Sequence, residues 1–256
     1  MTTRALTLAL CGAALCAATT ESSAQVTLKP DGQWRSMFTA GANLTSGNND
    51  STTFNALGEG ARVTDRDKIT LHGQANYGKV NGVTATQRYL LGGQYNRDIS
   101  RYSFKFASAD GLRDRPSNIA HRYSAAAGFG RHLLLGDAAN TFDISLGLGY
   151  TQDGYVVPTS VLGATRTEYG RTELVLTEET AHKLSETTKL RQKFTIFPNL
   201  TDRGAYRALF DTGVSVAMTS SLSLTAGFTY RFDSDPGLGL KRGDTAFVTG
   251  VSLRFD

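Results

Sequence analysis

Apolar and polar residues alternate almost without interruption near the end of this chain. Between Ser221 and Phe232 the apolar side chains occupy every second position, and the alternation returns between Phe247 and Phe255 after a polar segment. A period of two is the geometry of a β-strand, whose successive side chains point to opposite faces. Alternating segments of about ten residues are typical of transmembrane β-barrels. The sequence therefore constrains the architecture of this protein more strongly than its function.

The first residues have the features of a cleaved export signal. Arg4 provides a positive start, residues 5–18 form an apolar run too short to span a bilayer, and Ser22-Ser23-Ala24 places small residues at the cleavage positions. An uncleaved N-terminal anchor is the alternative. The expected domains are a signal peptide at 1–24 and an outer-membrane barrel at 25–256.

Composition excludes several classes of site. Both cysteines, Cys11 and Cys16, lie in the predicted signal, so we expect no disulfide, zinc or thiol chemistry in the mature chain. A net charge of +4 is too small and too dispersed for nucleic-acid binding. We expect no cofactor and no metal ion.

Twelve alternating segments, separated by turn residues, follow the predicted signal. They are 34–46, 51–64, 67–80, 84–97, 100–110, 121–133, 141–153, 165–178, 187–197, 204–218, 221–232 and 244–255. Single-chain bacterial barrels have an even number of strands, and an open edge in lipid would leave backbone groups unsatisfied. The prediction is an all-β fold, a transmembrane antiparallel up-and-down β-barrel of about 12 strands, closed by its first and last segments.

The connections between these segments differ in length. The even-numbered connections are mostly short, whereas several odd-numbered connections are longer, at 112–120, 155–164, 198–203 and 234–243. Outer-membrane barrels have short periplasmic turns and longer extracellular loops. The lengths therefore predict that both termini are periplasmic.

The polar set of each segment is assigned to the lumen, because a basic side chain at the bilayer midplane costs ~2–4 kcal/mol. In the fifth segment this rule places Phe104 and Phe106 toward lipid and Lys105 toward the lumen. The second and eighth segments are ambiguous. The candidate lumen-lining charges are Arg88, Arg122, Arg191, Arg207, Arg231, Glu173 and Asp211.

A set of short motifs runs through the whole mature chain. It comprises Trp34, the stretch 41–50, Arg88-Tyr89, Asp110, Arg113-Asp114, Arg122-Tyr123, Gly128-Phe129-Gly130 and Asp244. With these motifs the chain resembles the YdiY-like family, which is described as salt-induced outer-membrane proteins of unknown function. The resemblance implies an outer-membrane barrel and brings no established ligand or catalytic residue.

The most specific of these motifs ends in Gly47, Asn48, Asn49 and Asp50. Gly, Asn and Asp adopt positive φ and bond their own backbone, so a tight hairpin turn explains the motif. Calcium binding is the alternative, but the stretch supplies a single carboxylate. Asp110, Asp114 and Asp153 would add carboxylates at the extracellular rim, although two arginines interrupt them.

Three functions fit this barrel. An open lumen would make it a small pore with a mild anion preference, because basic candidates outnumber acidic ones. A lumen plugged by arginine–carboxylate pairs would make it a structural envelope barrel. The resemblance links the pore or the structural barrel to salt or osmotic stress. A hydrolase would need His121 as a base near Ser117 or Ser124. The expected partners are outer-membrane lipid, the barrel-assembly machinery and small ions or solutes.

Overall fold

Twelve β-strands make up most of the part of the chain that the computed structural model describes, residues 28–45, 50–135, 140–237 and 239–255. They are β1 (Trp34–Thr45), β2 (Ser51–Val63), β3 (Asp67–Val80), β4 (Val83–Ser100), β5 (Ser103–Asp114), β6 (Ile119–Leu135), β7 (Thr141–Val161), β8 (Ala164–Lys183), β9 (Thr188–Pro198), β10 (Tyr206–Ala217), β11 (Leu222–Asp233) and β12 (Gly243–Phe255). The described residues contain no helix that is long and apolar enough to cross a membrane.

Each strand pairs antiparallel with its neighbours in sequence, and β1 pairs with β12. Ser36 lies opposite Phe255 in this closing pair. The predicted twelve-stranded closed barrel is therefore confirmed. The start of β1 at Trp34 and the end of β12 at Phe255 lie at one end of the barrel, here called the terminus end, and the opposite end is called the loop end. The predicted signal at 1–24 lies outside the described residues.

The alternation in the sequence places an apolar outer surface around a polar interior. On the ambiguous strands, Phe54 of β2 and Leu176 of β8 are exposed on the outside, whereas Thr53 and Glu173 are buried inside. Large apolar side chains exposed on the outside include Trp34, Phe38, Leu91, Phe129, Leu146, Leu148, Leu224 and Phe247. Buried polar side chains in the interior include Arg35, Gln74, Asn76, Thr151, Thr225 and Thr229.

The predicted faces of β5 are wrong. Phe104 and Phe106 are buried in the interior, and Lys105 is exposed on the outside. The two phenyl rings occupy space left by glycines on the next strands, since a Cβ on Gly130 would lie 2.1 Å from Phe104 and one on Gly147 would lie 2.8 Å from Phe106. Apolar side chains can therefore face the lumen where neighbouring strands make room for them.

Two predicted loops are shorter than expected because their strands continue past the predicted ends. The stretch 155–164 is mostly a hairpin, in which β7 and β8 meet at Leu162-Gly163. Both turn residues have positive φ, 51° and 79°, as a two-residue type I′ turn requires. The stretch 112–120 is reduced to the four residues 115–118 between β5 and β6. The β7–β8 hairpin contacts the β11–β12 connection, where Leu162 N donates to Asp235 Oδ2 over 2.6 Å.

The segment before β1 folds against the terminus end. Leu28 packs on Met37 and Ala61, two buried apolar residues of the interior. Arg35 donates to both carboxylate oxygens of Asp31, at 2.9 and 2.5 Å. These hydrogen bonds hold the pKa of the Asp31 carboxyl well below its usual range. The segment therefore narrows the terminus end of the lumen.

Candidate functional site

The lumen contains a cavity of about 900 Å³. Its lining includes Leu28 and Thr141 at the terminus end, and Asp235 and Leu240 at the loop end. Eight strands enclose an interior that side chains just fill, and twelve strands enclose a wider one. Nine of the charged residues that line this cavity form two clusters at different heights.

The first group, here called the terminus-side cluster, consists of Glu59, Glu179, Arg191 and Lys193. Arg191 Nη2 donates to Glu179 Oε1 over 3.0 Å, and Arg191 Nη1 lies 3.8 Å from Glu59 Oε1. Lys193 Nζ lies 3.9 Å from Glu179 Oε2. Arg191 is on β9 and Glu59 on β2, and these strands are separated by four strands in one direction and six in the other. This ion pair therefore crosses the lumen.

The second group, the loop-side cluster, consists of Arg122, Asp153, Arg171, Glu173 and Arg207. Arg171 bridges the two carboxylates, with Nη1 2.8 Å from Asp153 Oδ2 and Nε 3.0 Å from Glu173 Oε1. Arg122 donates to both oxygens of Asp153, and Arg207 donates to both oxygens of Glu173. The cluster is confined to β6, β7, β8 and β10.

The two clusters differ in depth and in charge. Glu173 and Glu179 are six residues apart on β8, roughly 20 Å along a strand that rises about 3.3 Å per residue. In the loop-side cluster three guanidinium groups face two carboxylates, which leaves one positive charge in excess. In the terminus-side cluster two cations face two carboxylates. By this count the loop-side cluster is the more positive of the two clusters.

The other predicted lumen residues lie around the same cavity. Arg88 pairs with Asp114 of β5 at 2.9 Å. Asp211 accepts a 2.5 Å hydrogen bond from Thr229. Arg231 lines the cavity from β11. The structure thus brings Arg122, Arg207 and Glu173 into one cluster, and it places the remaining predicted residues elsewhere on the wall.

The suggested cation site at the rim does not form. Its three carboxylates are held by different basic side chains: Asp110 by His72 at 3.0 Å, Asp114 by Arg88, and Asp153 by Arg122 and Arg171. Over the described ranges, no three His, Cys, Asp or Glu side chains are arranged to hold a metal ion. The carboxylates serve as partners of basic lumenal residues instead.

The hairpin motif is described only at its last residue, since Gly47, Asn48 and Asn49 lie outside the described residues. Asp50 N donates to Asn81 Oδ1 over 3.0 Å, and Asn81 N donates to Asp50 O over 2.8 Å. Asn81 belongs to the two-residue turn between β3 and β4. Asp50 therefore contacts the β3–β4 turn at the loop end.

The arrangement needed for a hydrolase does not form between His121 and Ser124. The His121 ring packs against Tyr123, with centroids 5.4 Å apart, on the outer face of β6. Ser124 faces the lumen, where its hydroxyl lies 3.1 Å from that of Thr151. The two side chains therefore point to opposite faces of β6.

Sequence reasoning missed Glu179 of the terminus-side cluster and Thr151, which contacts the loop-side cluster. Glu179 was not singled out because the predicted eighth segment ends at 178, whereas β8 continues to Lys183. Thr151 donates to Glu173 Oε2 over 2.7 Å, but one hydroxyl among many gives no signal in the sequence.

Comparison with solved structures finds barrels of several kinds. The chain resembles the NanC porin with 9% identity, covering 86% of this chain and 100% of that one, at a TM-score of 0.49. The translocator domain of autotransporter NalP from Neisseria meningitidis is 16% identical, with 87% of each chain covered and a TM-score of 0.43. An anion-selective porin from Comamonas acidovorans is 8% identical, with 87% and 99% covered and a TM-score of 0.40.

No curated protein matches the sequence. Residues 38–255, from β1 to the end of β12, match DUF481, a family described as proteins of unknown function. The resemblance to the YdiY-like family is consistent with this match. The chain belongs to the DUF481 family.

Proposed function

We propose that this protein is a narrow channel of the bacterial outer membrane that passes small anions in preference to cations. The proposal has three parts, which are insertion in a bilayer, a path through the lumen and a preference for negative charge. Each part rests on different residues.

Insertion in a bilayer is supported by the outer surface. Leu91, Phe129, Leu148 and Phe247 are between 58% and 72% exposed, on strands from different parts of the ring. Contiguous apolar surface of this kind is rare on soluble monomers. A closed barrel leaves no unpaired edge in lipid, which is why barrels span membranes.

The observation that carries the channel is the cavity of about 900 Å³ with lining residues at both ends of the barrel. The Arg191–Glu59 pair crosses it, so we expect a small unitary conductance. The excess positive charge of the loop-side cluster raises the local concentration of anions, which favours their passage.

Recording from planar bilayers tests the channel. Purified, refolded protein should produce discrete current steps, and protein that has been unfolded by boiling should produce none. Silence from correctly folded protein would contradict the proposal and favour the second candidate, a structural envelope barrel. That candidate is supported by the same Arg191–Glu59 pair, if it blocks the lumen rather than narrowing it.

The orientation in the membrane has its own test. We propose that the terminus end is periplasmic, because the connections there are mostly short. Arg203→Cys in the β9–β10 connection should react with an impermeant maleimide on intact cells, and Ser220→Cys in the β10–β11 turn should react only after the cells are broken. Both positions are exposed. The reverse pattern would invert the orientation.

A link to salt stress is carried by the family resemblance alone. It predicts that the amount of this protein in the membrane rises when cells are moved to high salt. Immunoblots of membranes from cells grown at low and high salt measure that change, and equal amounts would remove the link.

A further inference from the structure

Three basic side chains lie together on the outer, lipid-facing wall of the barrel. They are Arg97 of β4, Lys105 of β5 and Arg131 of β6, and all three are exposed. Arg97 lies directly opposite Lys105 in the β4–β5 pair. Lys105 lies opposite Phe129, and Arg131 follows Phe129 by two residues on the same face. The three cations are called the outer basic cluster below.

This arrangement is unfavourable without an anion. Side chains directly opposite each other on antiparallel strands have Cβ atoms about 5 Å apart, diagonal neighbours about 7–8 Å, and like charges opposite each other are destabilising. Asp67 lies 3.7 Å from Arg97 and offsets one charge. Within the described residues, the side chains of Lys105 and Arg131 form no ion pair or hydrogen bond.

The depth of the cluster matches the boundary between hydrocarbon and headgroups. Tyr95 and Phe129 lie on the same outer face, each two residues nearer to the middle of the barrel than Arg97 and Arg131. Tyr102, which is half exposed, lies in the turn beside the cluster at the terminus end. Aromatic side chains mark the interface in barrels, and Lys and Arg near it extend toward the headgroups.

The cluster is confined to one side of the ring. At the same end, the outer face of β11, β12 and β1 carries Leu224, Val251, Leu253 and Phe38. A barrel could attract anionic lipid in general with cations spread around the whole ring. A site for one headgroup needs several cations close together, as on β4, β5 and β6.

We propose that the outer basic cluster binds the phosphate of an anionic phospholipid in the leaflet at the terminus end. Arg97 and Arg131 offer planar guanidinium groups that fit phosphate oxygens, and Lys105 adds a third cation between them. The acyl chains lie along the apolar wall above, past Tyr95 and Phe129. The site rests on insertion in a bilayer and is independent of conduction through the lumen.

Native mass spectrometry of the detergent-solubilised barrel tests this site. The protein is mixed with equal amounts of phosphatidylglycerol and phosphatidylcholine that carry the same acyl chains, and retained lipid is counted. We expect preferential retention of phosphatidylglycerol. In the variant Lys105→Gln/Arg131→Gln this preference should fall roughly tenfold, since each cation near a membrane surface contributes several-fold to binding of anionic lipid.

The matched control is Arg113→Gln/Arg115→Gln, which removes two exposed cations at the loop end. It should retain phosphatidylglycerol as the unchanged protein does. If both double variants lost the preference for phosphatidylglycerol equally, the preference would depend on net charge alone, and the site would be overturned. Retention of phosphatidylcholine at the same level would also overturn it. If the double variant fails to fold, the single variants K105Q and R131Q replace it in the experiment. Each should reduce the preference for phosphatidylglycerol roughly threefold.

Discussion

The two charged clusters of the lumen use the same kinds of side chain in different ways. In the loop-side cluster the carboxylates of Asp153 and Glu173 are almost fully buried, with 1% and 2% of their side chains exposed. In the terminus-side cluster Glu59 and Glu179 are 13% and 26% exposed. The first cluster joins strands on one side of the barrel, whereas the second joins opposite walls.

This difference indicates different roles. A buried carboxylate that accepts hydrogen bonds from two guanidinium groups is costly to remove, because its partners remain buried and charged. A longer and more exposed ion pair contributes less to stability but occupies the space through which a solute would pass. We therefore expect the loop-side cluster to determine stability and charge preference, and the terminus-side cluster to limit conductance.

The largest effect is expected at Asp153. Replacing Asp153 with Asn should lower the free energy of unfolding by about 3–5 kcal/mol, because Arg122 and Arg171 lose their shared charged partner. Urea titration in lipid vesicles measures the loss. The matched control is Asp110→Asn, since the Asp110 side chain is 37% exposed beside His72, and it should cost less than about 1 kcal/mol. Similar losses in both variants would remove the distinction between buried and partly exposed pairs.

A second prediction tests which face of β7 carries the loop-side cluster. Leu146 is 51% exposed on the outside, and its neighbour Ser145 lines the cavity. Replacing Leu146 with Arg should destabilise the barrel by ~2–4 kcal/mol in lipid, because the charge then faces hydrocarbon. Ser145→Arg should cost much less. The opposite order would show that the assigned faces of β7 are reversed.

The smallest effect on stability is expected at Glu59. Replacing Glu59 with Gln should change the free energy of unfolding by about 1 kcal/mol or less, because the pair is 3.8 Å long and Arg191 keeps Glu179. The unitary conductance should nevertheless rise, since Arg191 is no longer drawn across the lumen. Glu186→Gln, in the exposed β8–β9 turn, is the control and should leave conductance unchanged. Unchanged conductance in E59Q would place the narrowest point elsewhere.

Much of the fold follows from the sequence because the period of two identifies strands directly. The number of strands and their closure were predicted from that period and from the cost of an open edge. The faces of β5 were not, because Phe104 and Phe106 have the pattern of a lipid-facing set. The deciding information is the register, which places Gly130 and Gly128 of β6 beside those rings.

The candidate site was predictable only in part, for the same reason. Alternation assigns Arg122, Arg207 and Glu173 to the interior, and it cannot tell which of them meet. Partners on strands that are not adjacent, such as Arg191 and Glu59, depend on the diameter of the barrel and on the stagger of its strands. Neither quantity is encoded in the pattern of a single strand.

The most direct test of the central claim is the reversal potential of the unchanged protein across a gradient of potassium chloride in planar bilayers. The positive excess in the loop-side cluster predicts a reversal potential displaced toward that of chloride. The displacement should shrink when both salt concentrations are raised, because ions screen the lumenal charges. A reversal potential displaced toward that of potassium would contradict the account.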